Sequence, residues 1–332
     1  MNPWVSALLA ALLLLVIMLV NGSMTIYMLR KVLGHMHLRL GPTELGPAGI
    51  AQLIPDIVKL LVKEDRHPTT TDYWLYVLAP FLIFVPGLMS YGLMAFSDRL
   101  VAVNADYGLI MLVAFLGIIP LGVFAAGFAS HSKYALIGAM RAVGASICYE
   151  VPLVLSALVP VMLAGSLNFI DIALAQSRTI WYIIPALPSA ALFFIAALME
   201  TSNVPFDLAE AETELISGFS TEYSAMRFGF MYLTEFSNNF ILAGMMVLLF
   251  FGGWTLPFIS IEAIRPFAPV VFVIKTYLLI FLFMVVKGSV SRFRVDQMAA
   301  LSYKVLIPFA LLWTLIFGIG YKIFLMTVGG GA

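Results

Sequence analysis

Residues 200 to 235 read ETSNVPFDLAEAETELISGFSTEYSAMRFGFMYLTE and carry seven carboxylates, Glu200, Asp207, Glu210, Glu212, Glu214, Glu222 and Glu235, against one base, Arg227. Apolar runs flank the stretch on both sides, so these acids lie at or inside a membrane boundary, where ionised groups are costly and are kept for function. The chain around them is 62% hydrophobic and 11% charged, with a mean hydropathy of +1.03 over 332 residues. A water-soluble globular domain does not tolerate that balance. The stretch is therefore an acidic loop, partly helical, in an all-α polytopic membrane protein.

Composition excludes several chemistries. The 18 bases balance the 18 acids, so there is no electrostatic case for nucleic acid as a partner. The single cysteine, Cys148, excludes an internal disulfide, a four-cysteine iron–sulfur cluster and a CxxC zinc site within this chain. His35, His37, His67 and His131 lack metal-site spacing and read as interfacial or loop histidines. No Walker A or convincing GxGxxG is present, so no nucleotide is expected at the usual loops. Neither a metal nor a bound redox cofactor is expected in this chain.

Working outward from the acids, apolar runs long enough to span a bilayer lie at about 3 to 28, 73 to 96, 108 to 129, 144 to 166, 180 to 199, 228 to 252, 268 to 288 and 303 to 326. The first lacks a positive n-region and a small-residue cleavage site, so it reads as a retained helix. Eight spans put both termini on one side and make 1 to 332 a single membrane domain. Three long loops, 30 to 72, 200 to 227 and 287 to 304, share the other side. Bases choose the orientation. The loop-bearing side and its edges hold Arg30, Lys31, Arg39, Lys59, Lys63, Arg66, Lys133, Arg141, Arg227, Lys287, Arg292, Arg294 and Lys304; the termini side has Arg99, Arg178, Arg265 and Lys322. By the positive-inside rule the termini face out and the acidic loop faces the cytoplasm.

Within the first loop, GPAGIAQLIPDIVKLLVKED predicts an amphipathic helix lying in the membrane plane. Ile50, Leu53, Ile54, Ile57, Leu60 and Leu61 recur at helical spacing, with Asp56, Lys59, Lys63 and Glu64 on the other side. Such a helix is an interfacial anchor, or the roof of a cavity for an amphiphilic ligand. In the acid stretch, Ser202 or Asn203 is positioned to cap a helix whose first turn holds Pro205 and Asp207. Glu210 and Glu214 share a face and repel. Crowded carboxylates in a low dielectric cannot all ionise, so they share protons and titrate together. Glu150 lies about two turns inside the fourth span and Glu235 lies within the sixth; each is paired or protonated at that depth. Arg227 is roughly 80° from Glu235 around the helix, a candidate counter-ion facing the same cavity.

The segment RKVLGHMHLRLGPTELGPAGIAQLIPDIVKLLVKED resembles the first loop of the H-subunit family of proton-pumping NADH:quinone oxidoreductase, respiratory complex I. The resemblance returns in SKYALIGAMRAVGASICYEVP at 132 to 152, in the acid stretch, in FGGW at 251 to 254 and in RFRVDQ at 292 to 297. It implies a membrane subunit without its own redox cofactor that helps form the chamber for a quinone such as ubiquinone and couples quinone reduction to proton translocation. Arg30, Lys31, Arg39, Lys59, Phe206, Phe219, Arg292 and Arg294 are then the chamber residues. Asp56, Asp207, Glu210, Glu212, Glu214 and Glu222 answer charge changes of the quinone, and Glu150, Glu200 and Glu235 carry that response into the membrane. The implied partners are iron–sulfur subunits of a peripheral arm, antiporter-like and small membrane subunits, and the lipid of a bacterial plasma (inner) membrane, with periplasmic termini. The chain departs from the family pattern at Leu29, where a glutamate is usual, at Asn203, where an arginine is common, and at Ala145 and Cys148, where glutamine and serine are usual. Two rival readings share the same features: the membrane anchor of a related energy-converting hydrogenase, and a proton-coupled secondary transporter, against which the lack of an internal repeat counts.

Overall fold

A computed structural model describes the chain except for residues 1–2, 67, 209–214, 258, 260 and 330–332. Glu210, Glu212, Glu214 and His67 thus lie outside the described residues. The described part is helical: α1 (Pro3–Met36), α2 (Leu53–Val62), α3 (Tyr73–Leu93), α4 (Gly108–Ala129), α5 (Lys133–Ala164), α6 (Phe169–Arg178), α7 (Leu187–Glu200), α8 (Ala225–Phe250), α9 (Ala268–Ser289), α10 (Val295–Leu301) and α11 (Ile307–Gly329). Among the described residues, seven helices are long and apolar enough to cross a membrane.

The expected fifth span is the exception. Residues 182–186 form turns, and helix starts only at Leu187, with Pro188 in its first turn. Its 14 residues rise only about 21 Å, short of the ~30 Å apolar core of a bilayer. The fourth expected span is instead longer than its hydropathy, because helix begins at Lys133 and runs for 32 residues. Another correction falls on the acid stretch. Residues 201–208 are non-helical, with Ser202 in the left-handed region (φ 48°), so no described helix has Pro205 and Asp207 in its first turn.

The central element is α8. Of its 18-residue apolar stretch 94% is buried, against 22% for α1, and it packs on α1, α3 and α9. Helices in lipid gain little from burying apolar surface against each other and depend on close fit. Gly122 provides such a fit between α4 and α3, since a Cβ there would stand 3.0 Å from the Ile83 main-chain nitrogen.

Two prolines tie helices to the loop-bearing end of the bundle. A proline inside a helix leaves the carbonyl four residues earlier without its donor. Pro80 does this to Tyr76, and the Tyr223 hydroxyl, at the end of the acidic loop, donates to that carbonyl at 3.2 Å. In return the Tyr76 hydroxyl donates to the Glu222 carbonyl at 2.8 Å, and the two rings stack at 4.2 Å. Burial, then the neighbouring Tyr76 phenol, push the Tyr223 phenol up, only partly opposed by Arg227, so it remains a donor at neutral pH. Pro152 likewise orphans the Cys148 carbonyl, which accepts from the Ser302 hydroxyl in the π-helical turn that leads into α11.

Candidate functional site

Two cavities open on opposite sides of α8. The larger, about 420 Å³, lies between α1, α2 and α8. Its approach is a tight turn in which Ala48 (φ 57°) and Gly49 (φ 79°) both adopt the left-handed conformation. At Gly49 a Cβ would run into the Pro42 carbonyl, so that position needs glycine. From there α2 lies across the ends of α1 and α8. It presents the seam between its polar and apolar faces: Leu53, Ile57 and Leu60 line the cavity together with Asp56 and Lys59, while Ile54, Val58 and Leu61 point outward. Arg30 from α1 meets Asp56 at 2.5 Å, and Gln52 donates to the other Asp56 oxygen at 3.3 Å. An apolar chamber with one oriented ion pair and a further ammonium suits an amphiphilic ligand with a polar head, and its volume falls in the usual range for small-molecule sites.

A second cavity, about 80 Å³, has a largely apolar wall into which a few polar groups are set: Glu200 at the end of α7, Thr201 and Ser202 just after it, Tyr149 from α5, and Thr234, Glu235 and Asn238 from α8. It has room for a few waters. The Asn238 Oδ1 is buried and has no protein partner. Phe206 and Phe219 close this cavity and not the larger one. Glu150 follows Tyr149 of the lining directly, with its carboxyl beside Gly117 of α4.

The wall between the cavities is a single helix. One stripe of α8, Met226, Gly229, Phe230 and Leu233, faces the larger cavity, to which Phe228 and Tyr232 also contribute; another, Met231, Thr234, Glu235 and Asn238, faces the acidic one. Each set has the i, i+3, i+4, i+7 spacing of one helical face, and the two are five residues out of phase, about 140° apart.

Around these cavities the loops dock by charge. Arg292 meets Asp207 at 2.9 Å, the Phe293 amide donates to the Pro205 carbonyl at 2.9 Å, and Phe293 packs on Phe206. The last loop is therefore seated on the acid stretch. Lys31 donates to the Leu40 carbonyl at 3.3 Å and holds the first turn. Arg39 is exposed on that turn, outside both linings. The Arg294 amide donates to the Gln297 side chain at the start of α10. The main-chain carbonyl of Glu222 receives the Tyr76 hydroxyl. Arg227, a candidate partner for Glu235, is engaged by Asp65 at 3.0 Å and lies 5.1 Å over the Tyr76 ring.

Sequence reasoning missed two bases. Lys275, inside α9, donates to the carbonyls of Phe251, Gly253 and Thr255 at 2.8, 3.0 and 2.6 Å and stands 4.4 Å over Trp181. It thereby gathers the carbonyls of the turns that follow α8, beside a helix C-terminus where a cation is favoured. Lys287, counted from the sequence only among the bases of the loop-bearing side, reaches Asn203. Among the described residues no three His, Cys, Asp or Glu side chains gather in a way that would hold a metal.

This architecture defines a helical integral membrane protein that keeps acids between its helices beside an amphiphilic cavity. The family model described as NADH dehydrogenase matches residues 9–318. The chain is 42% identical over 304 residues to the H subunit of NADH-quinone oxidoreductase from Brevibacillus brevis, covering 91% of this chain and 89% of the relative. Against the H subunit from Granulibacter bethesdensis it is 38% identical, covering 94% and 91%, and against that from Dehalococcoides mccartyi 38%, covering 93% and 85%. The chain belongs to the NADH dehydrogenase family, with the H subunits of NADH-quinone oxidoreductase, a membrane component of complex I. Of the readings left open by the sequence, this is the complex I one.

Proposed function

We propose that the cavity between α1, α2 and α8 receives a quinone head and that the acidic cavity across α8 relays the charge changes of its reduction into the membrane as proton movement. The observation that carries this reading is the double face of α8, with an amphiphilic cavity on one stripe and, on the other, a cavity that Glu235 of that stripe lines together with Glu200. Quinone reduction takes up two electrons and two protons, so the charge beside Arg30, Asp56 and Lys59 changes during turnover. A displacement of α8 or of the Asp207–Arg292 loop is then felt at Glu200 and Glu235, whose shared protons redistribute. Glu150 extends the path toward α4 and α5.

In this reading the electrons arrive from iron–sulfur clusters on a peripheral arm seated on the loops 30–72, 200–227 and 287–304, and antiporter-like and small membrane subunits take up the response. Quinone is a substrate; the chain itself holds no cofactor. The excess of bases on the loop-bearing end supports a cytoplasmic position for it, in a bacterial plasma membrane with periplasmic termini. The segment 180–200 makes an eighth crossing, its short helix completed by the turn before it; burial of α7 between α5 and α8 supports this.

A photoreactive quinone tests the site. In membranes bearing the assembled enzyme, the label is expected on peptides spanning 53–62 and 226–233, with protection by excess unlabelled quinone. Protected labelling confined to other parts of this chain, or to other subunits alone, would overturn the assignment.

A further inference from the structure

Lys287 lies in the last turn of α9, and its Nζ donates to Asn203 Oδ1 at 3.1 Å. Asn203 Nδ2 donates to Thr201 Oγ1 at 2.7 Å and to Asn239 Oδ1 at 2.6 Å. Asn239 Nδ2 then donates to the Glu235 main-chain carbonyl at 3.3 Å. Both asparagines are buried, at 5% and 3% exposure, so neither amide can be satisfied by bulk water. The bonds all run in one sense, from ammonium to amide to amide to carbonyl.

That sense has a cause. An ammonium offers donors only, whereas an asparagine amide has an acceptor at one end and donors at the other. Lys287 therefore fixes which way Asn203 faces, and Asn203 fixes Asn239. A charge at the head of such a row polarises every bond after it, more strongly in a low-dielectric interior.

The row also has a strategic place. Thr201 and Ser202 follow Glu200 in the wall of the acidic cavity, and Asn239 follows Asn238, whose unpartnered Oδ1 lies in the same lining. Ser202 holds a left-handed backbone between Thr201 and Asn203, the two residues that the row ties together. The Asn203–Asn239 bond thus joins the loop leaving Glu200 to the helix that bears Glu235.

We propose that Lys287 is a positioning residue for the acidic cavity: its charge orients the Asn203–Asn239 pair, and that pair sets the spacing of the Glu200 and Glu235 carboxylates. The inference rests on the reading of this cavity as the coupling path. Asn203→Asp separates it from simple anchoring. Aspartate keeps the acceptor for Lys287, and strengthens the attraction, but has no donor for Thr201 or Asn239.

The test compares protons translocated per NADH oxidised with the rate of quinone reduction, in membranes bearing the assembled complex. Lys287→Met and Asn203→Asp are each expected to lower the proton ratio at least twofold, and Lys287→Arg to retain it. A full proton ratio in Asn203→Asp overturns the proposal, and this variant decides if Lys287→Met fails to assemble. A full ratio in Lys287→Met, or a loss in Lys287→Arg equal to that in Lys287→Met, also overturns it. Glu235→Gln in the same membranes keeps the two levels apart. If it lowers the ratio while Asn203→Asp does not, only the role of Lys287 falls; if it leaves the ratio and turnover unchanged, the coupling reading falls and this proposal with it.

Discussion

Gly229 offers a graded probe of the cavity assigned to the quinone. It faces α2 from the wall of α8, and a Cβ placed on it would meet Leu60 Cδ1 at 3.4 Å and the Met226 sulfur at 3.9 Å, ordinary contact distances. Gly229→Ala therefore fits without displacement and gains up to about 1 kcal/mol of helix propensity, so the enzyme should assemble and turn over normally. Gly229→Leu adds three further carbons at a position that lines the cavity of about 420 Å³. If they displace the equivalent of three methylene contacts of the ligand, at about 0.8 kcal/mol each, about 2.4 kcal/mol of binding is lost. That corresponds to roughly 60-fold in apparent quinone affinity. The assay is NADH oxidation by membranes at varied quinone concentration, with a water-soluble acceptor that draws electrons upstream of the quinone as the control for assembly. The expected pattern is an unchanged KM for alanine, a large rise for leucine, and unaltered activity with the soluble acceptor for both. An assembled leucine variant with wild-type KM would refute the assignment, and so would an alanine variant as damaged as the leucine one.

Three other perturbations follow from the same geometry. Tyr223→Phe keeps the ring stack but strips the donor from the Tyr76 carbonyl left open by Pro80, which should cost about 1–2 kcal/mol in thermal stability of the solubilised protein. Adding Pro80→Ala restores a main-chain donor, so the cost of Tyr223→Phe should shrink in that background; an equal cost in both would show that the hydroxyl does not serve this carbonyl. Because the Tyr223 phenol is raised above its ordinary 10.0, its contribution is whole below about pH 10 and declines as the pH rises toward the folded value. Lys275→Met leaves three carbonyls in the turns after α8 without their cation and should cost about 2–4 kcal/mol, read as a lower midpoint of thermal unfolding; an unshifted midpoint would argue against the clamp. Arg30 and Asp56 keep 42% and 29% of their side-chain surface, so their pair should contribute under about 1 kcal/mol to stability. A double-mutant cycle on quinone KM should nonetheless show coupling between them, and strictly additive effects would deny them a joint role at the site.

The span pattern was legible because a bilayer imposes length and composition together: the run from 108 to 129 coincides with α4, and 268 to 288 with α9 to within a residue. Hydropathy did not show how much of the fifth run is helical, since it counts side chains and ignores that Pro185 and Pro188 each remove a main-chain donor around Trp181–Ala186. The docking of Arg292 on Asp207 joins two segments that the family resemblance assigned to a common site, so their meeting was foreseeable. The partners of Arg227, Lys275 and Lys287 were not. Each reaches a group distant in sequence, Asp65, the carbonyls after α8, or Asn203, and periodicity carries no information about such pairs. At one of them, Asn203, the resemblance marks the loss of a base. In the fold that position is served by a base from α9, so a positive charge still stands beside the acid loop, delivered by Lys287 through an amide instead of by an arginine on the loop itself. An amide there joins two elements where an arginine would end the row in a charge. On the positioning role proposed for Lys287, that amide is what lets a charge on α9 act on Asn239 of α8 and on the loop that leaves α7.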